Sequence, residues 1–170
     1  MKTLSKNSYL EICTWMHRNA RPLDLALWNY LNEGGGKEAV AEALAYYQNE
    51  DGGFGNGLDA DCWNPESSPY ATMIAALLLR RISFIETEGS SHPMVQGIFR
   101  FLESGVHSDS EGWFFCIPSN DKYPHAPWWT YSEESNRLQS MGITAGLCSF
   151  ILHCAAPDSA LLKKQSNTSN

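Results

Sequence analysis

Residues 36–79 constrain the fold of this chain most, because they encode two helices of different character joined by an acidic, glycine-rich turn. The first segment, GKEAVAEALAYYQ, places Val40, Leu44 and Tyr47 on one helical face and its charged residues on the other. The last segment, PYATMIAALLLRR, is apolar nearly all round, which predicts burial on every side. Pro69 suits a first helical position. The sequence therefore predicts a helical hairpin with an amphipathic outer helix and a buried inner helix.

The turn between these helices has the composition of a tight connection. Asp51, Gly52 and Gly53 tolerate positive φ angles, and Phe54 is the first large side chain able to turn back between the helices. We expect Gly53 to be required for its backbone conformation, because a β-branched residue does not easily take a positive φ.

The segment QNEDGGFG, led by an aromatic-rich helix and followed by a Pro-Tyr-Ala-Thr helix start, resembles the repeat of the terpenoid cyclases and protein prenyltransferase β subunits. The resemblance covers roughly residues 20–155 and is closest to bacterial prenyltransferase-like proteins. It implies an all-α fold, an α/α toroid of concentric inner and outer helices. In such a toroid these turns fasten helices together, and the glutamine, here Gln48, ties down a helix end beneath the aromatic ring.

A second copy of the hairpin follows further along the chain. Phe54 and Trp113 are 59 positions apart, and Pro69 and Pro127 are 58 positions apart. Two landmarks at nearly the same offset indicate an internal repeat.

The second copy differs from the first by a polar insertion at residues 132–139, before an apolar helix predicted at 141–155. Thr130 and Glu133 have the spacing of a capping box. A polar loop is predicted at 86–91, before a helix that starts at Pro93. Two further helices are expected near the amino terminus, separated by a break before Pro22 and closed by Gly34-Gly35-Gly36.

The chain supplies roughly three helix pairs, whereas repeat folds of this kind need neighbours on both sides to cover an apolar inner face. We therefore predict an incomplete α/α toroid of helical hairpins at residues 1–155, followed by a disordered tail at 156–170. The uncovered apolar helices predict self-association, or association with further hairpins of a longer protein.

Charge and composition exclude some classes of partner. The formal net charge of −7, from 12 Lys and Arg against 19 Asp and Glu, argues against nucleic acid. Five widely spaced cysteines without a Cys-x-x-Cys pair indicate reduced thiols. The longest apolar runs, at 73–79 and 143–152, are shorter than the roughly 20 residues of a membrane span. We expect a soluble, cytoplasmic protein without a signal peptide or transmembrane segment.

The candidate acid lies in the segment LDADCW, between the turn and the buried helix. Squalene cyclases protonate an alkene with an aspartic acid in an Asp-x-Asp-Asp motif, and here Asp59 and Asp61 form Asp-Ala-Asp-Cys. Two neighbouring carboxylates allow one of them to stay protonated. The resemblance therefore implies that Asp59 and Asp61 are catalytic. The alternative is that both carboxylates cap backbone amides in a long loop.

A metal cofactor is not expected, although zinc or magnesium is an alternative. Protein prenyltransferases hold zinc with aspartate, cysteine and histidine, with the first two in Asp-x-Cys spacing. Here Asp61 and Cys62 are adjacent, and a histidine would have to come from His125 or His107. The spacing therefore departs from that pattern.

Aromatic residues gather around the two loops and are candidates for contact with an apolar ligand. In isoprenoid enzymes such rings line the cavity and stabilise carbocations. Of the adjacent pair Trp128 and Trp129, at most one ring is expected to face the core, which leaves the other for a pocket rim. The predicted substrate-binding residues are Trp63, Tyr70, His125, Trp128 and Trp129.

Three classes of function remain open. The first is an isoprenoid-handling enzyme, a transferase or cyclase relative that acts on or binds an apolar small molecule. The second is a catalytically silent helical scaffold or binding module, and the third is a carbohydrate-active toroid that uses Asp59 or Asp61 as its acid. A deep aromatic pocket would favour the isoprenoid enzyme, and an open acidic cleft would favour the carbohydrate-active toroid. The absence of any concavity would favour the silent scaffold.

Overall fold

Helices account for most of the chain. The computed structural model describes residues 3–155, and these contain seven α-helices and one two-stranded β-hairpin. The chain is therefore mostly helical, as predicted. The tail predicted at 156–170 lies outside the described residues. The chain divides after Ala45 into two compact units, which are taken in turn.

The first unit contains three α-helices, and the start of α2 and the end of its helical segment follow the predicted signals. Helix α1 begins after Ser5, whose side chain accepts a hydrogen bond from the Ser8 amide. Pro22 is the first residue of α2, and Gly34 takes a left-handed φ of 73° where the helical segment ends. The π-helical turn that extends α2 was not predicted from the sequence. The elements are α1 (Lys6–Asn19), α2 (Pro22–Trp28), the π-helical turn (Asn29–Glu33) and α3 (Lys37–Ala45).

The second unit begins with the acidic turn and α4 (Pro69–Arg81). Phe54 is fully buried, and its backbone amide donates to the Thr72 hydroxyl at 3.0 Å. Pro69 occupies the first helical position, after the N-cap Ser68. The prediction that α4 is buried on every side is wrong, because Leu77 is exposed.

Helices α5 (Phe84–Glu88) and α6 (Pro93–Ser104) follow. The predicted loop at 86–91 is partly wrong, since burial of Phe84 and Ile85 holds a short helix there. Helix α6 starts at Pro93 as predicted and buries one apolar face.

The remaining elements are β1 (Ser108–Asp109), β2 (Gly112–Trp113), two 3₁₀ turns (Pro118–Lys122 and Pro127–Trp129) and α7 (Glu133–Cys154). The strands pair antiparallel, with Ser108 opposite Trp113 and Asp109 opposite Gly112.

The start of α7 corrects the sequence prediction. The segment 132–139 is not an insertion, because the helix already begins at Glu133. Its N-cap is Ser132, whose side chain accepts from the Ser135 amide, and not Thr130. The polar residues Asn136 and Ser140 are buried on the inner face of this helix, which explains why an apolar pattern did not mark it.

Within residues 3–155, no helix has both the length and the apolar content that crossing a bilayer requires.

Candidate functional site

The two loops that carry the candidate residues are joined by backbone hydrogen bonds. Cys62 and His125 form an isolated antiparallel bridge. The Ala126 amide donates to the Asp61 carbonyl at 2.8 Å, and the Trp63 amide donates to the Pro124 carbonyl at 3.0 Å. Residues 61–63 are thereby held against residues 124–126, although the sequence separates them widely.

A small cavity lies where these loops meet the start of α4. Its volume is about 20 Å³, which is room for one or two water molecules. Its lining includes a carboxyl group, aromatic rings and polar side chains. The lining residues used below are Asp59, Asn64, Ser68, Tyr70, Phe115 and Trp129.

Trp129 anchors the carboxylate of Asp61. Its indole Nε1 donates a hydrogen bond of 2.6 Å to Asp61 Oδ1. Desolvation raises the pKa of Asp61, but hydrogen bonds from Trp129, Asp59 and Trp128 outweigh it, so that the pKa lies below the ordinary aspartate value. Asp61 is therefore the carboxyl that stays ionised.

Asp59 is shifted in the opposite direction. Burial, a hydrogen bond with the Asp61 carboxyl and the negative charge of Asp61 together raise the pKa of Asp59. The Asp61 amide and the Tyr70 hydroxyl, which both bond to Asp59, lower its pKa by less. Two adjacent carboxyls whose environments separate their pKa values have the arrangement of a proton donor and its anionic neighbour.

Three aromatic rings contact one another beside this carboxyl pair. Tyr70 meets Trp129 edge-on with ring centroids 4.5 Å apart, and meets Phe115 edge-on at 5.6 Å. Phe115 stacks on Trp129 at 4.9 Å. Because all three rings line the cavity, a positive charge formed there would face aromatic π-systems.

A buried polar network holds Trp129 in place. The side-chain amide of Asn64 donates to Ser119 Oγ at 2.9 Å and to Asn120 Oδ1 at 2.8 Å. Asn120 donates in turn to the Trp129 carbonyl at 3.0 Å. Asn64, Ser119 and Asn120 are all buried, so their bonds fix the backbone on which the indole donor depends.

The structure brings some of the predicted residues together and leaves others apart. Asp59, Tyr70 and Trp129 line the cavity, and Asp61 bonds to Trp129. Trp129 is 5% exposed and Trp128 60% exposed, which confirms that only one of the pair faces the core.

Four predicted residues lie outside the cavity lining, namely Asp61, Trp63, His125 and Trp128. Trp63 is exposed, and its indole donates to the Ala60 carbonyl. The ring nitrogens of His125 are bonded to the Tyr123 carbonyl, at 2.7 Å, and to Thr130 Oγ1, at 3.2 Å. His125 therefore positions the loop and does not reach the cavity.

Phe115 and Asn64 are site residues that the sequence did not single out. Phe115 lies two positions after Trp113 in the segment WFFC, and this run of aromatic residues was the signal that could have identified it. Asn64 had no such signal, because its partners Ser119 and Asn120 lie more than fifty positions away.

The residues around the cavity do not fit a metal site. Within the described part of the chain, no three His, Cys, Asp or Glu side chains are grouped so that they could hold an ion. Burial raises the pKa of the Cys62 thiol, and the charges of Asp59 and Asp61 raise it further.

A wider depression of about 390 Å³ lies elsewhere, between the β-hairpin and the start of α7. Its lining is acidic, with Asp109, Glu111 and Glu133 beside Arg137. It contains none of the predicted site residues.

Comparison of the chain with models of protein families, with curated proteins and with solved structures finds no match.

Proposed function

We propose that this chain donates a proton from Asp59 to the alkene end of an isoprenoid-type molecule, in the manner of a terpenoid cyclase. One observation carries the proposal: a carboxyl with a raised pKa lies beside an ionised carboxyl and three mutually contacting aromatic rings. A carboxyl that is protonated more often than an ordinary aspartate, because its pKa is raised, and an aromatic lining for the resulting cation suit alkene protonation.

The reaction needs no further reactant. The proton leaves the Asp59 carboxyl and bonds to one alkene carbon through the π electron pair, which leaves a cation on the other carbon. The cation faces Tyr70, Phe115 and Trp129, each ring contributing about 0.5–2 kcal/mol. Return of a proton from a neighbouring carbon to the Asp59 carboxylate restores an alkene. Asp61, held ionised by Trp129, adds a negative charge near the cation.

The size of the cavity limits how the ligand binds. A volume of about 20 Å³ does not hold a prenyl chain, for which sites of about 300 Å³ and more are usual. We therefore place only the reacting end at the cavity, with the apolar tail on exposed rings outside it. Trp63 and Trp128 are exposed aromatic side chains near this opening, because Trp63 lies beside the cavity-lining Gly57 and Trp128 precedes the cavity-lining Trp129 in the chain.

The α/α toroid remains part of this proposal. The turn after α3 has the features that the family resemblance implies: Phe54 is buried, and the Gln48 side chain donates to the Gly52 and Met94 carbonyls at 2.9 and 3.0 Å. The glutamine thus joins the turn to the first turn of α6, as a fastening between helices requires.

The carbohydrate alternative receives less support from the geometry. Two-carboxylate glycosidases keep their carboxyl groups about 5 Å or more apart, whereas Asp59 and Asp61 are joined by a hydrogen bond. The open acidic depression near α7 does not contain either residue.

A silent binding module is the second candidate, and the small cavity favours it. The carboxyl groups of Asp59 and Asp61 already have partners within the chain, in Tyr70, Trp129 and each other. On this alternative the pair fastens the two loops and performs no chemistry.

Deuterium exchange separates these candidates. The full chain is incubated in D₂O with a prenyl alcohol such as geraniol, and deuterium at the alkene positions is measured by mass spectrometry and NMR. Proton donation predicts incorporation that depends on the protein and is lost in Asp59→Asn. Asp109→Asn, an exposed carboxyl on β1, is the matched control and should retain exchange.

Tryptophan fluorescence gives the second readout, since Trp63 and Trp128 are exposed. Quenching by the prenyl alcohol without deuterium exchange would replace the enzyme proposal with the binding module. Neither quenching nor exchange, in a chain whose circular dichroism shows it to be folded, would overturn both ligand-handling proposals.

A further inference from the structure

The cavity beside the start of α4 has the lining of a site for a small organic cation. Asp59 lines it together with the rings of Tyr70, Phe115 and Trp129. The centroids of these rings lie between 4.5 and 5.6 Å apart. The faces of aromatic rings attract a cation, and a carboxylate neutralises its charge. The cavity thus combines the two kinds of group that bind organic ammonium ions.

The charge around the cavity is negative. Among the residues that the structure describes, no Lys, Arg or His lines the cavity. The Asp61 carboxylate adds a second acidic group one hydrogen bond away, because it bonds to both Asp59 and Trp129. A partly buried carboxylate without a cationic partner is unfavourable, so a bound cation stabilises its ionised form. The charge of the site therefore favours a cationic ligand over a neutral or an anionic one.

The cavity volume restricts which cations fit. Its volume of about 20 Å³ holds one or two water molecules. A primary ammonium group has nearly the size of a water molecule, whereas the methyl groups of a trimethylammonium group make it too large. A primary ammonium group also carries N–H donors, for which the Asp59 carboxylate and the Ser68 hydroxyl are acceptors in the lining. Among organic cations, the cavity therefore selects a primary amine.

We infer that this cavity binds the ammonium group of a primary alkylamine. The ammonium group contacts the Asp59 carboxylate and the faces of the lining rings. The alkyl chain lies outside, on the exposed rings of Trp63 and Trp128. No proton passes to the ligand in this binding, so the inference does not depend on the alkene chemistry proposed above.

Amine binding is coupled to the protonation of Asp59. The titratable groups that face Asp59 are Asp61 and Cys62 in its own loop and Tyr70 in α4. Burial and the Asp61 carboxyl raise the pKa of Asp59, whereas an ammonium ion beside it favours the ionised carboxyl. The amine therefore binds the ionised form and displaces the Asp59 proton. Its affinity consequently rises as pH increases through the folded pKa of Asp59.

Isothermal titration calorimetry of the full chain with hexylamine tests the inference. The matched ligands are 1-hexanol, which lacks the charge, and hexyltrimethylammonium, which has the charge and the chain but a larger head. Hexylamine should bind at least about tenfold more tightly than either. Between about pH 4.5 and 8, where an alkylamine keeps its proton, its affinity should rise with pH while that of hexanol stays constant.

Variants identify the groups that hold the amine. Asp59→Asn should weaken hexylamine binding at least about tenfold, remove its pH dependence and leave hexanol binding unchanged. Asp109→Asn, which removes an exposed carboxyl on β1, controls for the overall negative charge and should leave all affinities unchanged. Phe115→Leu keeps an apolar side chain but removes one ring face, so it should weaken binding of hexylamine more than that of hexanol. Circular dichroism checks that each variant is folded.

Three results would overturn the inference. The first is equal affinity for hexylamine and hexyltrimethylammonium, which would place the cation on the acidic surface and not in the cavity. The others are equal effects of Asp59→Asn and Asp109→Asn, and no binding of hexylamine at all. Deuterium exchange without a preference for the amine would keep the enzyme proposal and remove this inference. Amine binding without exchange would do the reverse.

Discussion

The indole Nε1 of Trp129 lies 2.6 Å from Asp61 Oδ1, although 68 positions separate the two residues in the chain. The bond joins the Pro127–Trp129 turn to the loop before α4 and ends on a carboxylate whose pKa it lowers. It therefore links the packing of the two loops to the protonation of the Asp59 and Asp61 pair.

Trp129→Phe removes a donor to a charged and partly exposed acceptor, and this part of its effect should lower the free energy of unfolding by about 1 kcal/mol at pH 7, in addition to the packing that the buried indole loses at any pH. Since the folded pKa of Asp61 is lowered, this stabilisation is present above the ordinary aspartate pKa of about 3.9 and is lost as pH falls through the folded pKa. Urea unfolding at pH 7 and near pH 2.5 measures the difference.

Trp63→Phe is the matched control, because the Trp63 indole donates to the uncharged Ala60 carbonyl. Its effect should not change between the two pH values. Equal pH dependence in both variants would show that the Trp129 bond does not set the pKa of Asp61.

Asp59→Asn should stabilise the chain at neutral pH. The folded pKa of Asp59 is raised, so its contribution is favourable below about pH 3.9 and is lost as pH rises through the folded pKa. At pH 7 the ionised carboxyl opposes folding, and the neutral amide removes a cost of less than about 1 kcal/mol after solvent screening. Thermal melts at pH 7 and pH 3 should show the gain only at pH 7.

Asp61→Asn is the comparison for this prediction. It should destabilise the chain at pH 7, whereas Asp59→Asn stabilises it. Stabilisation by both variants would mean that the two carboxyls repel each other equally and that neither is the designated acid.

The sequence predicted these carboxyls and two of the three cavity rings, because Asp59, Asp61, Tyr70 and Trp129 stand out as local clusters around the loops. It did not predict Phe115 or the Asn64 network, because those depend on pairing between distant segments. The sequence could not show which of the two carboxyls has the raised pKa, since this depends on the burial of Asp59 and on the Trp129 bond to Asp61.

Gly53 was singled out from the sequence, but the reason given there, a positive φ, is wrong. Its φ is not positive, in contrast to Gly52 with φ of 92°. What position 53 lacks is space, since a Cβ there would lie 2.6 Å from the Phe101 ring and 2.6 Å from Ser67 Cβ. Sequence patterns indicate turns, but the close approach of α6 to the turn is a tertiary feature.

Gly53→Ala should therefore destabilise the chain by about 2–3 kcal/mol through overpacking. Gly142→Ala is the control, because a Cβ at this position in α7 has no atom within 4 Å and should raise helix stability by roughly 0.5–1 kcal/mol. Urea unfolding of both variants gives the comparison. A loss below about 0.5 kcal/mol for Gly53→Ala would mean that the turn moves away from α6 at little cost.

Asn136 accounts for the misread start of α7. Its side-chain oxygen accepts from the Phe115 and Cys116 amides at 2.9 and 2.8 Å, and its nitrogen donates to the Cys116 carbonyl at 3.0 Å. One buried amide thus satisfies three backbone groups of an irregular segment. A polar residue that does this looks like a loop residue in the sequence but acts as part of the core.

Asn136→Ala should cost about 3 kcal/mol, because it leaves these three backbone groups buried without partners. Asn136→Asp keeps both acceptor bonds and loses only the donor, so its cost should be smaller in acid, where the carboxyl is protonated and can donate again. Gln139→Ala, exposed on the same helix, should change stability by less than about 0.5 kcal/mol.

Since Asn136 also fixes the backbone of Phe115, the Asn136→Ala variant should loosen the ring stack on Trp129, which near-ultraviolet circular dichroism detects. If Asn136→Ala costs no more than Gln139→Ala, the irregular segment is held by its apolar contacts, and the polar start of α7 has no structural role.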